Sequence, residues 1–377
     1  MVTFTDPIHG KIRIPDAFNA VLQSAALTRL RNIRQLGFTL ATYPGAVHTR
    51  YEHTLGTVAV LNQLFTQFGV HGKDIIDRFT LYALISEVGI YPLSYSTRAI
   101  FTRYGYDKRS YATKVYTLDL ARKLSWMAVD PKELWEPNQR KADWFAPVQS
   151  IPAFAYMDPI KLASTVDYVL RDSYYTGRYA GAFDYRYFAS MRVDANVDEL
   201  RESLRALHRA VNALNATYGD PLRRALTALL TILVDRLVEA GHLAVDSWKD
   251  ESAFLSLDDD EFLSQIGDAV ARAQSAGDSF VADLFLIVTQ RAAPIIVPPD
   301  TGAATAEDIA AEHGLPAERV FLSTSESEGR IGFRMFGIDY ANLDAAIASE
   351  MFQACTGLTT DTHAVDSLRG VIVPRIT

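Results

Sequence analysis

RLRNIRQLGFTLATYPGAVHTRYEHTLG (residues 29–56) is the stretch of this sequence that says most about its fold. Two histidines, His48 and His53, stand five positions apart in it, with Arg50 between them. Imidazole nitrogens are common metal ligands, but a pair at this spacing is a weak metal signal by itself. What the pair does therefore depends on the rest of the chain.

Composition sets the broad class of the protein. A chain of 377 residues that is 49% hydrophobic and 22% charged can bury a sizeable core as a soluble globular protein. A net charge of −8 and a pI near 5.5 disfavour a broad cationic surface, so polynucleotide is not an expected partner.

The compartment is suggested by cysteine usage and by the absence of targeting patterns. The single cysteine, Cys355, forms neither an intrachain disulfide nor a cysteine-rich zinc site, and the count fits a reducing compartment. The first ten residues lack the regions of a signal peptide, and no apolar run approaches the roughly 20 residues of a membrane helix. We expect a cytoplasmic protein without a membrane segment.

Hydrophobic periodicity predicts helices through the middle of the chain. One helix is expected over 198–215, where apolar residues recur in steps of four and three, and His208 beside the stripe is interpreted as packing or surface. The members of the stripe are Leu200, Leu204, Leu207, Val211 and Leu214.

The next helices are marked by their ends. Asp220 is a predicted N-cap, Pro221 suits the first turn, and Gly241 ends an apolar helical face. The acidic run 258–261 is interpreted as the start of a helix that reaches about Ala276, in preference to a cation site.

From about residue 285 the pattern changes to short strands and one helix. The segments 288–300, 319–324 and 329–337 are predicted to contain strands. The segment 306–316 is predicted to be a helix closed by Gly314 and Pro316. These elements form a small α+β lobe.

Three stretches of the chain are 6–15 (DPIHGKIRIP), 29–56 and 166–177 (VDYVLRDSYYTG). They resemble the deoxynucleoside triphosphate triphosphohydrolases of the HD superfamily. This family includes the vertebrate sterile-alpha-motif and HD-domain enzyme and bacterial homologues. The segment 309–322 fits the same family. The resemblance implies a mainly α fold: a degenerate HD-domain helical core at 1–240, a helical extension at 241–284 and a C-terminal α+β lobe at 285–377.

The same resemblance implies a metal site with four ligand positions, of which three have changed. The family histidine of R[FY]EH falls on His53, the family His-Asp pair falls on Ser86 and Glu87, and a later aspartate falls on Ser164. Serine hydroxyls are weak ligands compared with imidazole and carboxylate. We therefore expect no metal cofactor, and a divalent ion only if the site has been rebuilt.

The family's proton-transfer histidines are also replaced. They fall on Ile90 and Tyr95, and a further one near Ala112. Isoleucine cannot ionise, and tyrosine titrates near pH 10, so neither side chain transfers protons near neutrality as histidine does.

The positions that the family uses to bind nucleotide are largely retained, although the family lysine before DY aligns with Thr165. Alternatively, His53 is a hydrogen-bonded core histidine, and Arg171 and Asp172 belong to an internal ion-pair network. The retained nucleotide-binding positions are Gln35, Leu36, Arg50, Tyr168 and Asp172.

Three hypotheses follow. In the first, the chain is a catalytically inactive, dNTPase-like pseudoenzyme that binds a nucleotide or another protein. In the second, it is an active nucleotide phosphohydrolase or other enzyme with a rebuilt site around His53 and Glu87, where burial raises the pKa of Glu87. In the third, it is the regulatory subunit of an active HD paralogue. Homo-oligomerisation or hetero-oligomerisation with such a paralogue is expected.

Overall fold

The computed structural model describes residues 1–124, 126–127, 148, 154, 159–178, 197–297, 305–312, 314–322 and 370–372. Over these residues the protein is mainly α-helical, with a hairpin at the start of the chain and a small sheet near its end. The predicted fold class is therefore confirmed. No helix in the described ranges is both long and apolar enough to cross a bilayer.

The described residues contain thirteen α-helices, which we number in chain order. The first seven are α1 (Asn19–Leu22), α2 (Ala25–Arg29), α3 (Arg50–Gln67), α4 (Lys73–Ile85), α5 (Arg98–Arg103), α6 (Lys108–Val115) and α7 (Pro159–Thr176). The remaining ones are α8 (Val197–Tyr218), α9 (Pro221–Glu239), α10 (Glu251–Phe254), α11 (Asp259–Ser275), α12 (Phe280–Val288) and α13 (Ala306–Glu312).

The N-terminal hairpin supplies a turn that later contributes to the site. Strand β1 (Val2–Asp6) pairs antiparallel with β2 (Gly10–Ile14). In the turn, Asp6 accepts hydrogen bonds from the backbone N–H groups of Ile8 and His9, each at 2.9 Å. An aspartate that bonds the backbone two residues ahead is a common way to fix such a turn.

The stretch 29–56 folds back on itself and starts helix α3. The backbone N–H of Arg50 donates to the carbonyl of Ile33 at 2.8 Å. The helix opens with a capping box, in which Thr49 and Glu52 satisfy each other's backbone N–H groups. These contacts fix the first turn of α3 and hence the positions of Arg50 and His53.

Helix α3 is the central element of the fold, because it packs against both α4 and α7. Its buried face includes Arg50, His53 and Gly56 as well as apolar residues. Buried apolar residues between Ile12 and Val288 form a single core cluster, and residues of the segment 241–284 belong to it.

Two predicted helices have the expected ends and faces. Helix α9 is capped by Asp220, which accepts a hydrogen bond from the N–H of Arg223, and its predicted face is buried. Helix α11 is capped by Asp258, which accepts from the N–H of Glu261. The interpretation of the acidic run as a helix N-terminus is thereby confirmed.

The prediction for 198–215 is confirmed as helix α8, which is slightly longer. Its residues Leu207, Val211 and Leu214 are buried as predicted. The side chains of Leu200, Leu204 and His208 lie outside the described residues.

The C-terminal region contains the three-stranded antiparallel sheet in the order β3 (Ile295–Val297), β5 (Gly370–Ile372), β4 (Val320–Leu322). The predicted strands within 288–300 and 319–324 and the helix over 306–316 are confirmed. The predicted strand at 329–337 lies outside the described residues, as does Cys355.

Candidate functional site

The segment that follows helix α4 contains Ser86, Glu87, Ile90 and Tyr95 and is tightly anchored. Buried Arg29 donates to the carbonyls of Leu257 at 2.6 Å and Ile90 at 2.8 Å. Asp259 accepts from the backbone N–H of Leu93 at 2.5 Å and of Arg34 at 3.0 Å. Side chains of α2 and α11 therefore hold this segment through its backbone groups.

Glu87 lies between two cationic side chains. The Arg50 guanidinium donates to one carboxylate oxygen of Glu87 at 3.2 Å, and the Lys108 ammonium lies 3.3 Å from each oxygen. The ring of Tyr95 lies within 5.0 Å of the Arg50 guanidinium carbon and 5.8 Å of the Lys108 nitrogen. We call Arg50, Glu87, Tyr95 and Lys108 the cation cluster.

The cation cluster fixes the charge state of Glu87. Burial alone raises the pKa of this carboxyl, but Lys108 and Arg50 outweigh burial and lower the pKa to about 2. The prediction that Glu87 has a raised pKa is therefore wrong, because it considered burial without the two cations. A carboxylate with so low a pKa is a poor general base near neutral pH.

His53 belongs to a second, fully buried network. Asp167 accepts from His53 Nδ1 at 2.6 Å and from His9 Nε2 at 2.7 Å. The Arg171 guanidinium donates to both oxygens of Asp167, at 2.9 and 3.1 Å, and to Asp6 at 2.8 Å. We call Asp6, His9, His53, Asp167 and Arg171 the Asp167 network.

Asp167 is ionised in this network. Burial raises the pKa of its carboxyl, but the Arg171 guanidinium and the hydrogen bonds of His53 and His9 hold that pKa well below its usual range. The interpretation of His53 as a hydrogen-bonded core histidine agrees with its position. Arg171 lies in an internal ion-pair network as that interpretation proposes, although its partners are Asp167 and Asp6, not Asp172.

The positions at which the resemblance implies nucleotide contacts are connected to the cation cluster. Arg50 donates to the backbone carbonyl of Gln35 at 3.2 Å, and the N–H of Gln35 donates to the carbonyl of His48 at 2.9 Å. His48 Nε2 lies 2.8 Å from Asp172, whose other oxygen accepts from the Tyr218 hydroxyl at 2.6 Å. Both oxygens of Asp172 are thus engaged, one by buried His48 and the other by partly buried Tyr218.

Tyr168 and Leu36 complete this set of positions. Tyr168 is partly buried on α7, one turn before Asp172, and burial together with the Asp172 charge raises the pKa of its hydroxyl. Leu36 is buried and precedes Gly37, whose positive φ of 50° begins a short helical turn. Arg50 thus lies on α3, Tyr168 and Asp172 lie on α7, and Gln35 and Leu36 directly precede the turn that Gly37 begins.

Comparison with known proteins gives partial sequence matches. No family model matches the chain. An uncharacterized protein of Methanocaldococcus jannaschii is 27% identical over 187 residues, which are 49% of this chain and 36% of the relative. The deoxynucleoside triphosphate triphosphohydrolase SAMHD1 of Gallus gallus is 45% identical over 56 residues, 15% of this chain and 9% of that enzyme. The chain spans less than half of the first relatives that it matches, 36 to 46% of their length.

Solved structures match over most of the chain. A phosphohydrolase from Bacteroides thetaiotaomicron has a TM-score of 0.60 at 17% identity, covering 86% of this chain and 88% of its own. A hypothetical protein from Aquifex aeolicus has a TM-score of 0.62 at 20% identity, covering 85% of each chain. The chain shares the overall fold of these two structures.

The residues at the four ligand positions that the resemblance implies do not fit a divalent ion. His53 Nδ1 is bound to Asp167, and His53 Nε2 lies 3.1 Å from the Ser164 hydroxyl. Glu87 is held by two cations that would repel a metal ion, and the Ser86 hydroxyl donates to the Ala83 carbonyl at 2.9 Å. Among the described residues, no group of three or more His, Cys, Asp or Glu side chains is arranged to hold a metal.

The three positions at which the resemblance implies proton-transfer histidines have different environments. Ile90 and Ala112 are buried in the apolar core. Tyr95 is 49% exposed and covers the two cations. Of the three, only Tyr95 is therefore accessible to a ligand, and it presents an aromatic ring.

Sequence reasoning missed several members of the site. Lys108 lies 21 residues after Glu87 and belongs to none of the matching stretches, so no local pattern pointed to it. His9 and Asp167 do lie within the resembling stretches 6–15 and 166–177, where the histidine of DPIHG and the first aspartate of DY..RD were available signals. His48 was noted only for its spacing from His53.

Proposed function

We propose that this chain is a catalytically inactive HD-fold protein that binds a nucleotide at the cation cluster and the adjoining Asp172 region. The observation that carries the proposal is the pairing of Glu87 with both Arg50 and Lys108. This pairing occupies the carboxylate that a metal would need. It leaves one more positive than negative charge in the cluster.

The excess charge and the exposed ring suit a phosphate-bearing ligand. A guanidinium and an ammonium are the side chains that bind phosphate oxygens most effectively. Tyr95 offers an exposed aromatic face beside them. Gln35, whose carbonyl accepts from Arg50, is one proposed contact for sugar and base, and Tyr168 and Asp172 are the others.

The loss of catalysis is proposed from the chemistry of the same residues. Hydrolysis of a phosphate ester near neutral pH needs an activated water, which a metal ion or a general base supplies. Glu87 has a pKa of about 2, and Ile90 has no ionisable group. An active enzyme rebuilt around His53 and Glu87 is thus the weaker alternative, since both side chains are already engaged.

The test combines metal content, turnover and binding on the full chain. Protein purified without chelator is analysed for metals, incubated with each of the four deoxynucleoside triphosphates, and titrated with them by calorimetry. We expect substoichiometric metal, no triphosphate or other product, and saturable binding that Arg50→Gln weakens. Arg103→Gln, on the exposed surface of α5, is the matched control.

Two results would overturn the proposal in different ways. Product formation by protein that contains a stoichiometric divalent ion would favour the rebuilt enzyme. If none of the four nucleotides binds, nucleotide recognition is refuted and protein binding is the function that remains. Co-purification with an HD-type paralogue would then reveal the partner.

A further inference from the structure

The Lys108 ammonium contacts both carboxylate oxygens of Glu87, as a metal ion bound by that carboxylate would. Its nitrogen lies 3.3 Å from both carboxylate oxygens. Glu87 is the position at which the resembling family has a metal-binding aspartate. A single positive centre facing both oxygens of that carboxylate therefore stands where an ion would be held.

The position of Lys108 is built into the fold. Lys108 is the first residue of α6, and a Cβ atom at Gly89 would lie 2.6 Å from the Lys108 carbonyl oxygen. Only a glycine permits this close approach between the segment after α4 and the start of α6. The Tyr106 hydroxyl also donates to the Gly89 carbonyl, at 2.9 Å.

The electrostatic surroundings keep the ammonium charged. Burial lowers the pKa of Lys108, but Glu87 and Tyr95 raise it more, so the pKa lies above its ordinary value. The side chain is 24% exposed, in contrast to the 4% of Arg50. Lys108 is thus the more accessible of the two cations that hold Glu87.

We propose that Lys108 is a built-in cation that takes the place of a divalent metal in this site, so that phosphate-bearing ligands bind here without metal. The ligand class rests on the proposed function above. The replacement of the metal by Lys108 rests on its contacts with both Glu87 oxygens and on the resemblance that expects a metal ligand at Glu87. The two parts are therefore tested separately.

The first experiment asks whether Lys108 excludes a metal from a site whose ligands are restored. Ser86→His and Ser164→Asp are combined, once with Lys108 intact and once with Lys108→Ala. Manganese binding is measured by calorimetry, with circular dichroism to verify folding. A unit charge next to a divalent ion is strongly repulsive at this range, so we expect at least about tenfold tighter manganese binding when Lys108 is replaced.

Equal manganese affinity in the two backgrounds would overturn the replacement of the metal by Lys108. If neither background binds manganese, the replacement is also refuted, because Lys108 is then not the group that excludes the ion. Neither result depends on nucleotide binding, so a failure here is distinct from a failure of the proposed function.

The second experiment measures binding of the four deoxynucleoside triphosphates in EDTA. We expect wild-type affinity to be unchanged by EDTA, Lys108→Met to weaken it at least about tenfold, and Lys108→Arg to retain it. Lys73→Met, which removes a lysine with an 80% exposed side chain, is the matched control and should bind as wild type does. Loss of wild-type binding in EDTA, or unaltered binding by Lys108→Met, would refute metal-free recognition through Lys108.

Discussion

Replacing Asp167 by asparagine is the sharpest test of the buried network. Asp167 accepts four hydrogen bonds, two from Arg171 and one each from His9 and His53, and its side chain is fully buried. Asparagine keeps one acceptor oxygen, but its NH2 group then faces N–H donors that bonded to the second oxygen of Asp167. Arg171 then keeps only Asp6 as a carboxylate partner among the described residues.

The expected cost is large for a single substitution. Breaking a buried ion pair from one side typically costs about 3–5 kcal/mol, because a buried charge loses its compensation. Asp6 still neutralises part of the Arg171 charge, so we expect a value near the lower end, about 3 kcal/mol. This is a substantial share of the roughly 5–15 kcal/mol by which domains are stable.

Urea unfolding measures this cost, and the chain contains a matched control. Asp74 and Arg78 on α4 form an ion pair with the same spacing of four residues at 3.0 Å, but the Asp74 side chain is 69% exposed. Exposed helix pairs contribute only about 0.3–0.5 kcal/mol, so Asp74→Asn should barely change the unfolding midpoint. A loss below about 1 kcal/mol for Asp167→Asn, or equal losses in the two variants, would refute the reasoning.

Three further substitutions test other contacts by the same unfolding assay. Gly56→Ala would place a Cβ 1.8 Å from an Asp167 oxygen, so we expect a loss of about 3 kcal/mol or more; wild-type stability would contradict this geometry. Tyr218→Phe leaves an Asp172 oxygen without its donor and should cost about 1–3 kcal/mol; an unchanged midpoint would mean that the bond is not formed. Burial, opposed by two backbone N–H bonds, raises the pKa of Asp259 from 3.8 to about 6. Because folding favours its protonated form, wild type should lose up to about 3 kcal/mol relative to Asp259→Asn as pH rises from about 4 to about 6; parallel stability curves for the two proteins would contradict the shift.

Glu87 illustrates how far sequence reasoning extends into the site. The sequence places a carboxylate in an apolar helical environment, and burial by itself raises the pKa of such a group. The sign reverses because Arg50, from the start of α3, and Lys108, from the start of α6, both reach it. Neither pairing is local, so no pattern within the segment 83–96 could reveal it.

The sequence alone determined the local features of this protein. The cap at Asp220, the proline after it and the glycine at 241 define a helix, because each acts through the backbone of its immediate neighbours. The expectation that Ser86, Ile90 and Tyr95 stand where the resembling family has histidines likewise comes from the sequence alone.

The tertiary structure decided which groups meet. His9 and Asp167 are 158 residues apart in sequence, and His48 and Asp172 are 124 apart, yet each pair is in hydrogen-bond contact. Such pairings depend on how α3 and α7 pack, and packing is set by the whole core and not by the residues on either side of a motif. For the same reason the ammonium that faces Glu87 comes from α6, whose approach depends on the space left by Gly89.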